Sequence, residues 1–506
     1  MSTEKLTHEL EQVVARAAAA AAPFAATSPL DRARALVAVA DALEAATTPL
    51  VAIAMRETGL TEVRLTGEVK RTAVQLRLFA ETIVDGSYLD VRIDQADDNF
   101  ALGIRPDVRR YHIPVGPVIN FSASNFPFAF SVAGGDSAAA LAAGCPLIVK
   151  GHSGHPELSK ATAEIVNKAL TEAGMPEGTF QLILGQEAGV AVLKDPRIKA
   201  GSFTGSIYAG RLLADIAASR PAPIQFYGEL GSVNPVFLTK AAIAQNAETI
   251  VSGYILSVSG SAGQLCTKPG FVFAPVGHAL DERIAAEVAP ITEHRLLNPR
   301  IAKSYEERRA EIIGTNGVRV IAEGGIRFDD EGQGWALPTI VAVSLEDLRA
   351  GRETLLEEVF GPMSLIVEYP EGTDLAALLP ELYLGNLTST LHLGSEEHAG
   401  TSANAAEIRE LIHAMTLQAG RVLFGGWPTG VTVTPAMQHG GPWPATSNDT
   451  STSVGTAAIA RFQRPVAYQN APAAFLPEAL KDENPLKLNQ AISRKGESVT
   501  WGHLEG

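Results

Sequence analysis

Apolar positions in the first hundred residues recur at helical spacing. Leu30, Ala33, Leu36, Val37, Ala40 and Leu43 form one such face. It opens at Ser28-Pro29-Leu30-Asp31, which resembles an N-terminal cap with proline in the first turn, and Pro49 is expected to stop the run. From about residue 115 the rhythm changes to short β-type runs alternating with helical ones. Pro117–Phe121 precedes an Ala-rich helical stretch, Phe128–Ala143. Pro146–Lys150 precedes a helix over Pro156–Ala173, and Phe180–Leu184 a short helix near Glu187–Leu193. Ile198–Phe203 leads into Ser206–Ser219, and Ile224–Tyr227 closes the series. Strands and helices alternating at these lengths predict an α/β fold with right-handed βαβ units and a buried parallel sheet. A second α/β lobe is expected after Tyr227, running to about Thr434, with Phe271–Ala274 and Met363–Val367 among its strands. The tail beyond Pro465 is rich in proline and charge and carries no clear period.

Composition narrows the function. A chain of 506 residues is long enough for two or three lobes, and 46% hydrophobic with 19% charged residues is ordinary for a globular protein. A net charge of -15 and no basic stripe argue against nucleic acid as a partner. No apolar run is long enough to span a bilayer, and the N-terminus lacks the pattern of a secretory signal, so no membrane role and a cytoplasmic location are expected. Two cysteines, Cys145 and Cys266, exclude a disulfide framework and a four-cysteine zinc site. No Asp/Glu/His/Cys cluster accompanies His152 and His155, so they are read as loop histidines and no metal is expected.

Three segments carry candidate chemistry. Cys145 lies between apolar runs and reads as a core residue. Cys266 instead sits among small and polar residues in Gly263-Gln-Leu-Cys-Thr, where a ligand can approach and backbone N–H groups can favour a thiolate; the alternative is a small packing residue. Glu229, between glycines at the end of a β-type run, is either a solvated loop acid or a general base at the mouth of a sheet. Asn125, just past the first strand, is either a turn or cap residue or a donor to a developing oxyanion.

Taken together, these segments resemble the aldehyde dehydrogenase superfamily from about residue 25 to 465. The matching motifs, in family order, are Asn125–Pro127, Lys150, Phe203–Ser206, Glu229–Gly231, Gly263–Cys266 and Glu358–Pro362. The resemblance implies a Rossmann-like cofactor domain (1–98 and 115–228), an α/β catalytic domain (229–434), a small β oligomerisation arm (99–114 and 456–466) and a C-terminal tail (467–506). It implies Cys266 as nucleophile, Asn125 and the Cys266 backbone N–H as oxyanion donors, and Glu229 as the base that activates the hydrolytic water. Cofactor contacts are implied at Phe121, Ser122, Lys150, Ser153, Ser206, Arg211, Leu230, Glu358 and Phe360. Apolar walls for the substrate are expected at Phe128, Phe130 and Trp427. A homodimer or homotetramer is implied, the C-terminal strand completing a neighbour's sheet.

Departures from the common pattern define a branch. Ser124 replaces the usual tryptophan before Asn-Phe-Pro, and Gly151 the usual proline after the strand-ending lysine. Met437-Gln-His-Gly-Gly-Pro-Trp-Pro-Ala-Thr-Ser447 stands where a Phe-Gly-Gly-x-Lys-x-Ser-Gly segment is usual. These features are similar to the α-ketoglutaric semialdehyde (2,5-dioxovalerate) dehydrogenase branch, and NADP-dependent fatty aldehyde dehydrogenases share much of the pattern. The resemblance implies NAD(P)-dependent oxidation of a small aldehyde, 2,5-dioxopentanoate, to 2-oxoglutarate. The alternatives are a fatty or other non-carboxylated aldehyde as substrate, or a binding protein that has kept the fold without the chemistry. Many NAD-preferring members carry glutamate where Ser153 stands, so NADP is expected to serve at least as well as NAD, with Lys150 and Arg211 as partners for its extra phosphate.

Overall fold

The computed structural model describes residues 6–503. Helix α1 (Pro29–Ala45) begins as its sequence suggests, the Ser28 hydroxyl accepting from the Asp31 N–H, and it buries Leu36, Val39, Ala40 and Leu43. Pro49 does not stop this run: the chain already breaks at Ala46, and Pro49 stands in the first turn of the next helix, Thr47–Thr58, where no intrahelical N–H is needed. The longer helix α2 (Glu62–Asp85) follows, ended by Gly86 in the left-handed region (φ 76°).

The cofactor-type sheet has five parallel strands: β1 (Val118–Phe121), β2 (Leu147–Lys150), β3 (Phe180–Ile183), β4 (Ala200–Thr204) and β5 (Gln225–Glu229). Their order is β3-β2-β1-β4-β5. The connecting helices are α3 (Asp136–Ala143), α4 (Pro156–Glu172), α5 (Gln186–Lys194) and α6 (Ile207–Ala218). Side chains alternate across the sheet, as a strand covered on both faces requires. Val118, Leu147 and Val149 join the core under α1, α2 and α4, while Ile119, Ile148 and Ile183 pack on the other side with Val192 and Leu213. The Ala-rich stretch from Phe128 is helical only from Asp136 onward. Gly134 and Gly135 hold the preceding segment in a tight turn; a Cβ on Gly134 would lie 2.4 Å from the Ala129 carbonyl oxygen, and Gly135 has φ 54°.

The second lobe is built on seven strands: β6 (Val236–Leu238), β7 (Phe271–Pro275), β8 (Arg319–Ala322), β9 (Thr339–Ser344), β10 (Met363–Tyr369), β11 (Asn386–His392) and β12 (Ala419–Phe424). Their order is β8-β9-β10-β7-β6-β11-β12, with only β8 antiparallel. Helix α7 (Lys240–Ser259) covers one face and delivers the chain to Cys266.

A third, four-stranded sheet runs in the order Gln463–Gln469, Val108–Pro114, Val91–Asp94, Gln490–Ser493. It draws on more of the chain than the expected arm. Residues 91–94 and the tail strand 490–493 belong to it, whereas Thr456–Phe462 is a 3₁₀ segment packed on α3. The C-terminal strand pairs with its own chain at 108–114. Among the described residues no single helix is long and apolar enough to cross a membrane.

Candidate active site

All five strands of the first sheet end on one edge, with Phe121 beside Lys150 and Phe203, and Thr204 beside Glu229. In open α/β sheets this carboxyl edge is where ligands bind. Cys266 approaches it from the second lobe. After α7 the backbone turns through Ser261, Ala262 and Gly263 with φ of 53°, 52° and 63°, a left-handed run that is costly for the two non-glycine residues. Gly263 cannot be replaced without a shift, because a Cβ there would lie 2.3 Å from the Gly361 carbonyl oxygen. The loop is then held from both sides. Asn234 donates to the Cys266 and Lys268 carbonyls at 2.8 and 2.9 Å, and Gln264 accepts the Leu297 N–H at 2.8 Å. Asn125, from the first lobe, donates one amide hydrogen to the Gln264 carbonyl at 3.2 Å, and its amide group carries a second.

Glu229 does not face Cys266 directly. His439 stands between them, its Nε2 3.5 Å from the Cys266 sulfur and its Nδ1 3.1 Å from Glu229 Oε2. The other Glu229 oxygen accepts from Arg461 at 2.8 Å, and Arg461 donates at 3.0 Å to Asp136 in the first turn of α3. The remaining Arg461 donor, Nε, meets the Ser451 hydroxyl at 2.9 Å, and its guanidinium lies over the Tyr227 ring. Glu229, His439, Asp136 and Arg461 are all buried. Buried charges of this kind persist only when paired and hydrogen-bonded, which is the case here. Burial by itself would favour a neutral His439, but Cys266 and Glu229 outweigh it, so its pKa is raised to about 9. At neutral pH it is an imidazolium between a sulfur and a carboxylate, both of its N–H groups donating.

The sequence reading missed His439, Asn234, Asp136 and Arg461. His439 lies in the aperiodic 425–455 loop, which folds back over the first sheet and forms a bridge from Thr446 to Glu229. Its only signal was the unusual Met437-Gln-His-Gly-Gly segment.

The expected apolar walls divide. Phe130 lies at the site, its ring centroid 5.7 Å from that of His439 and 5.4 Å from that of Phe126, with Val431, Val433 and Met437 around it. Phe128 is instead a core residue under α2, because its strand-exit turn directs it into the helical layer. Trp427 stacks on Tyr254 of α7 at 5.1 Å and touches His392, in a separate cavity of about 350 Å³.

Of the cofactor candidates, Phe121, Ser122, Lys150 and Ser206 lie at or just beyond the strand ends of the first sheet, while Glu358 and Phe360 come from the second lobe. Ser206 caps α6, its hydroxyl accepting from the Ala209 N–H, and the helix N-terminus beside it favours a pyrophosphate. Phe121 and Ser122 are buried at the end of β1, where the Ser122 hydroxyl donates to the Lys150 carbonyl. Ser153 is exposed in the turn after β2, and burial lowers the pKa of Lys150 just before it. Leu230 is buried against Gly210, whereas Phe360 is half-buried. The Glu358 carboxylate lies near Gly231, and burial pushes it toward the neutral form while Lys268 opposes that. Arg211 is exposed on α6, paired with Asp215 at 2.7 Å and laid over Trp443. One turn of helix separates Arg211 and Asp215, so the pairing is a local one. A helix N-terminus, a lysine and a carboxylate along one edge suit the phosphates and ribose hydroxyls of a dinucleotide.

His152 and His155 stack on one another, and both ring nitrogens of His155 are engaged, by Ser159 and by the Ala123 carbonyl.

The chain belongs to the aldehyde dehydrogenase family, whose model matches residues 3–427. Such enzymes use NAD(P) to oxidise aldehydes to acids. Among curated relatives, the chain is 39% identical over 488 residues to an α-ketoglutaric semialdehyde dehydrogenase of Acinetobacter baylyi, covering 96% of this chain and 91% of that one. It is 41% identical over 471 residues to α-ketoglutaric semialdehyde dehydrogenase 2 of Azospirillum brasilense, covering 92% and 87%. The fold matches aldehyde dehydrogenase 21 from Physcomitrella patens with a TM-score of 0.76 over 92% of both chains, at 21% identity.

Proposed function

We propose that this enzyme oxidises 2,5-dioxopentanoate to 2-oxoglutarate through Cys266. The substrate rests on the two semialdehyde dehydrogenase relatives that the chain matches along nearly its whole length. The chemistry rests on the Cys266–His439–Glu229 contact series. Paired with the His439 imidazolium, the Cys266 thiolate attacks the aldehyde carbon, and the free Asn125 N–H receives the oxyanion. A nicotinamide dinucleotide held by residues such as Ser206 and Glu358 would supply a hydride acceptor, and loss of hydride from the adduct leaves a thioester on Cys266. The sulfur has then lost its charge, and with it goes the support that Cys266 gave to the His439 proton. His439 releases that proton to solvent. Its neutral Nε2, with Nδ1–H held on Glu229, takes a proton from the water that attacks the thioester. Collapse frees the acid and restores the thiolate–imidazolium pair.

A series of aldehydes tests the substrate. kcat/KM for 2,5-dioxopentanoate is expected to exceed that for hexanal and decanal by at least about tenfold, about 1.4 kcal/mol. The Phe126–Phe130 wall would also accept an alkyl chain, so efficiency rising along the alkanals would assign the enzyme to fatty aldehydes instead.

For the cofactor, NADP is expected to serve at least as well as NAD. Exposed Ser153 leaves room for a 2′-phosphate beside Lys150, while Arg211 is already committed to Asp215. Ser153→Glu should weaken NADP selectively. A wild-type preference for NAD above about a hundredfold, roughly 2.7 kcal/mol, would refute the reading. Assembly as a homodimer or homotetramer in the cytoplasm belongs to the same proposal.

A further inference from the structure

Helix α2 carries Arg64, Glu68, Arg71 and Gln75 at positions i, i+4, i+7 and i+11, which is one helical stripe. Helices normally turn such a stripe toward water. Here Glu68 and Gln75 are buried at 4% and 1% exposure, and burial lowers the pKa of both arginines. The stripe faces the mouth of the site. The Arg64 guanidinium lies 4.9 Å from the centroid of the Phe126 ring and donates through Nη2 to the Asn125 carbonyl, next to the amide placed for the oxyanion. The Arg71 guanidinium lies 5.2 Å from the centroid of the Phe130 ring, the same ring that packs on His439. Both arginines are close enough for the Cys266 thiolate to raise their proton affinity.

A purely structural ion network would satisfy its donors, and this one does not. Among the described residues, Arg64 Nη1 and Arg71 Nη1 are buried without a hydrogen-bond partner, and the Arg71 Nη2 contact with the Val431 carbonyl is long, at 3.5 Å. The one carboxylate present, Glu68, gives one oxygen to the Phe128 and Ala129 N–H groups, and its other oxygen comes no nearer to Arg64 than 3.8 Å. Burial also raises the pKa of Glu68, which weakens it as a counterion. Two guanidiniums therefore face one poorly placed acid. An unpaired buried N–H on a charged group is costly, and an anion that supplies the missing acceptors removes that cost. Arg421 also senses Cys266, but its terminal nitrogens are taken by the Pro428 and Gly430 carbonyls, so it holds the loop rather than a ligand.

The geometry points to Arg64 and Arg71 as the site that binds the carboxylate end of the substrate, with the apolar carbons lying along Phe126 and Phe130 and the aldehyde reaching Cys266. This rests on the reading of the substrate as a carboxylated semialdehyde. It turns the excess of negative charge on the whole chain into a local question, since a short anion needs positive charge only where it docks.

The test compares 2,5-dioxopentanoate with pentanal, an uncharged aldehyde of the same carbon count, in wild type, Arg71→Gln and Arg71→Lys. In Arg71→Gln the ratio of kcat/KM for the acid over pentanal is expected to fall at least about tenfold, through the KM of the acid, and Arg71→Lys should recover part of it. An unchanged ratio in Arg71→Gln, with wild type still favouring the acid, overturns the arginine site and leaves the substrate reading standing. A wild type that favours pentanal overturns both. Phenylglyoxal labelling of wild type gives a readout independent of variant folding. 2-Oxoglutarate should protect Arg64 and Arg71 from modification and pentanol should not; equal labelling with and without 2-oxoglutarate overturns the site.

Discussion

Cys266→Ser is expected to lower aldehyde oxidation by about three orders of magnitude or more, in the first turnover as well as in steady state, while nucleotide affinity changes little. A serine hydroxyl is far less ionised than a thiol at neutral pH, and the chain's other thiol, Cys145, lies in the core. The structure adds a second consequence. The pKa of His439 is raised to about 9 partly by the Cys266 thiolate, so it should fall in the variant. Nuclear magnetic resonance titration of the His439 ring in wild type and variant reads this directly. Cys145→Ser is the control. That thiol is fully buried, bonded to the Phe462 carbonyl and pushed up to about 11, so it is inert as a nucleophile. Its replacement should cost stability, about 1–3 kcal/mol, without changing kcat. Ordinary turnover by Cys266→Ser, or loss of turnover in Cys145→Ser with an unchanged Tm, would reverse the assignment.

The cofactor-binding half was legible because its signals are local. Each expected strand from Pro117–Phe121 to Ile224–Tyr227 matches an observed one within about two residues, since buried parallel strands are short apolar runs bounded by turns. The errors arose where backbone geometry overrode composition. The alanines after Phe128 favour a helix, but Gly134 and Gly135 delay it to Asp136, and that turn is what sends Phe128 into the core and Phe130 to the site. Cys266, Glu229 and Asn125 could be singled out from local sequence: Cys266 lies among small and polar residues, Glu229 follows a β-type run, and Asn125 lies just past the first strand. His439 is 173 residues from Cys266 in a loop without a period, so nothing local marks it. Arg461 left a fainter trace, a lone charge between Ile459 and Phe462 in an apolar segment, where a buried partner is the physical requirement. The α2 stripe would mislead any reader of sequence. Arg64, Glu68 and Arg71 have the spacing of a solvated face, and only the tertiary structure turns that face inward.

Glu229→Gln should leave a burst of reduced nucleotide close to one per site and then slow steady-state turnover by about two to three orders of magnitude, within the range for losing general-base catalysis. Attack by Cys266 needs the imidazolium, which the thiolate itself still supports. Hydrolysis needs a neutral His439 held in one tautomer, and there Glu229 is the remaining support. Glutamine offers one oxygen and one NH₂ group to two donors, Arg461 and His439, so at least one of the contacts at 2.8 and 3.1 Å must be lost. The pH profile separates this role from that of a direct base. With His439 as the base, kcat for hydrolysis rises with pH as the ring loses its proton. Removing the Glu229 charge lowers the ring's proton affinity, so the rising limb should move to lower pH in the variant and persist at a reduced plateau. If Glu229 itself took the proton from water, the limb belonging to its carboxyl would vanish in Glu229→Gln. A limb that disappears would therefore remove His439 from the hydrolytic step, and an absent burst would move Glu229 to the attack on the aldehyde.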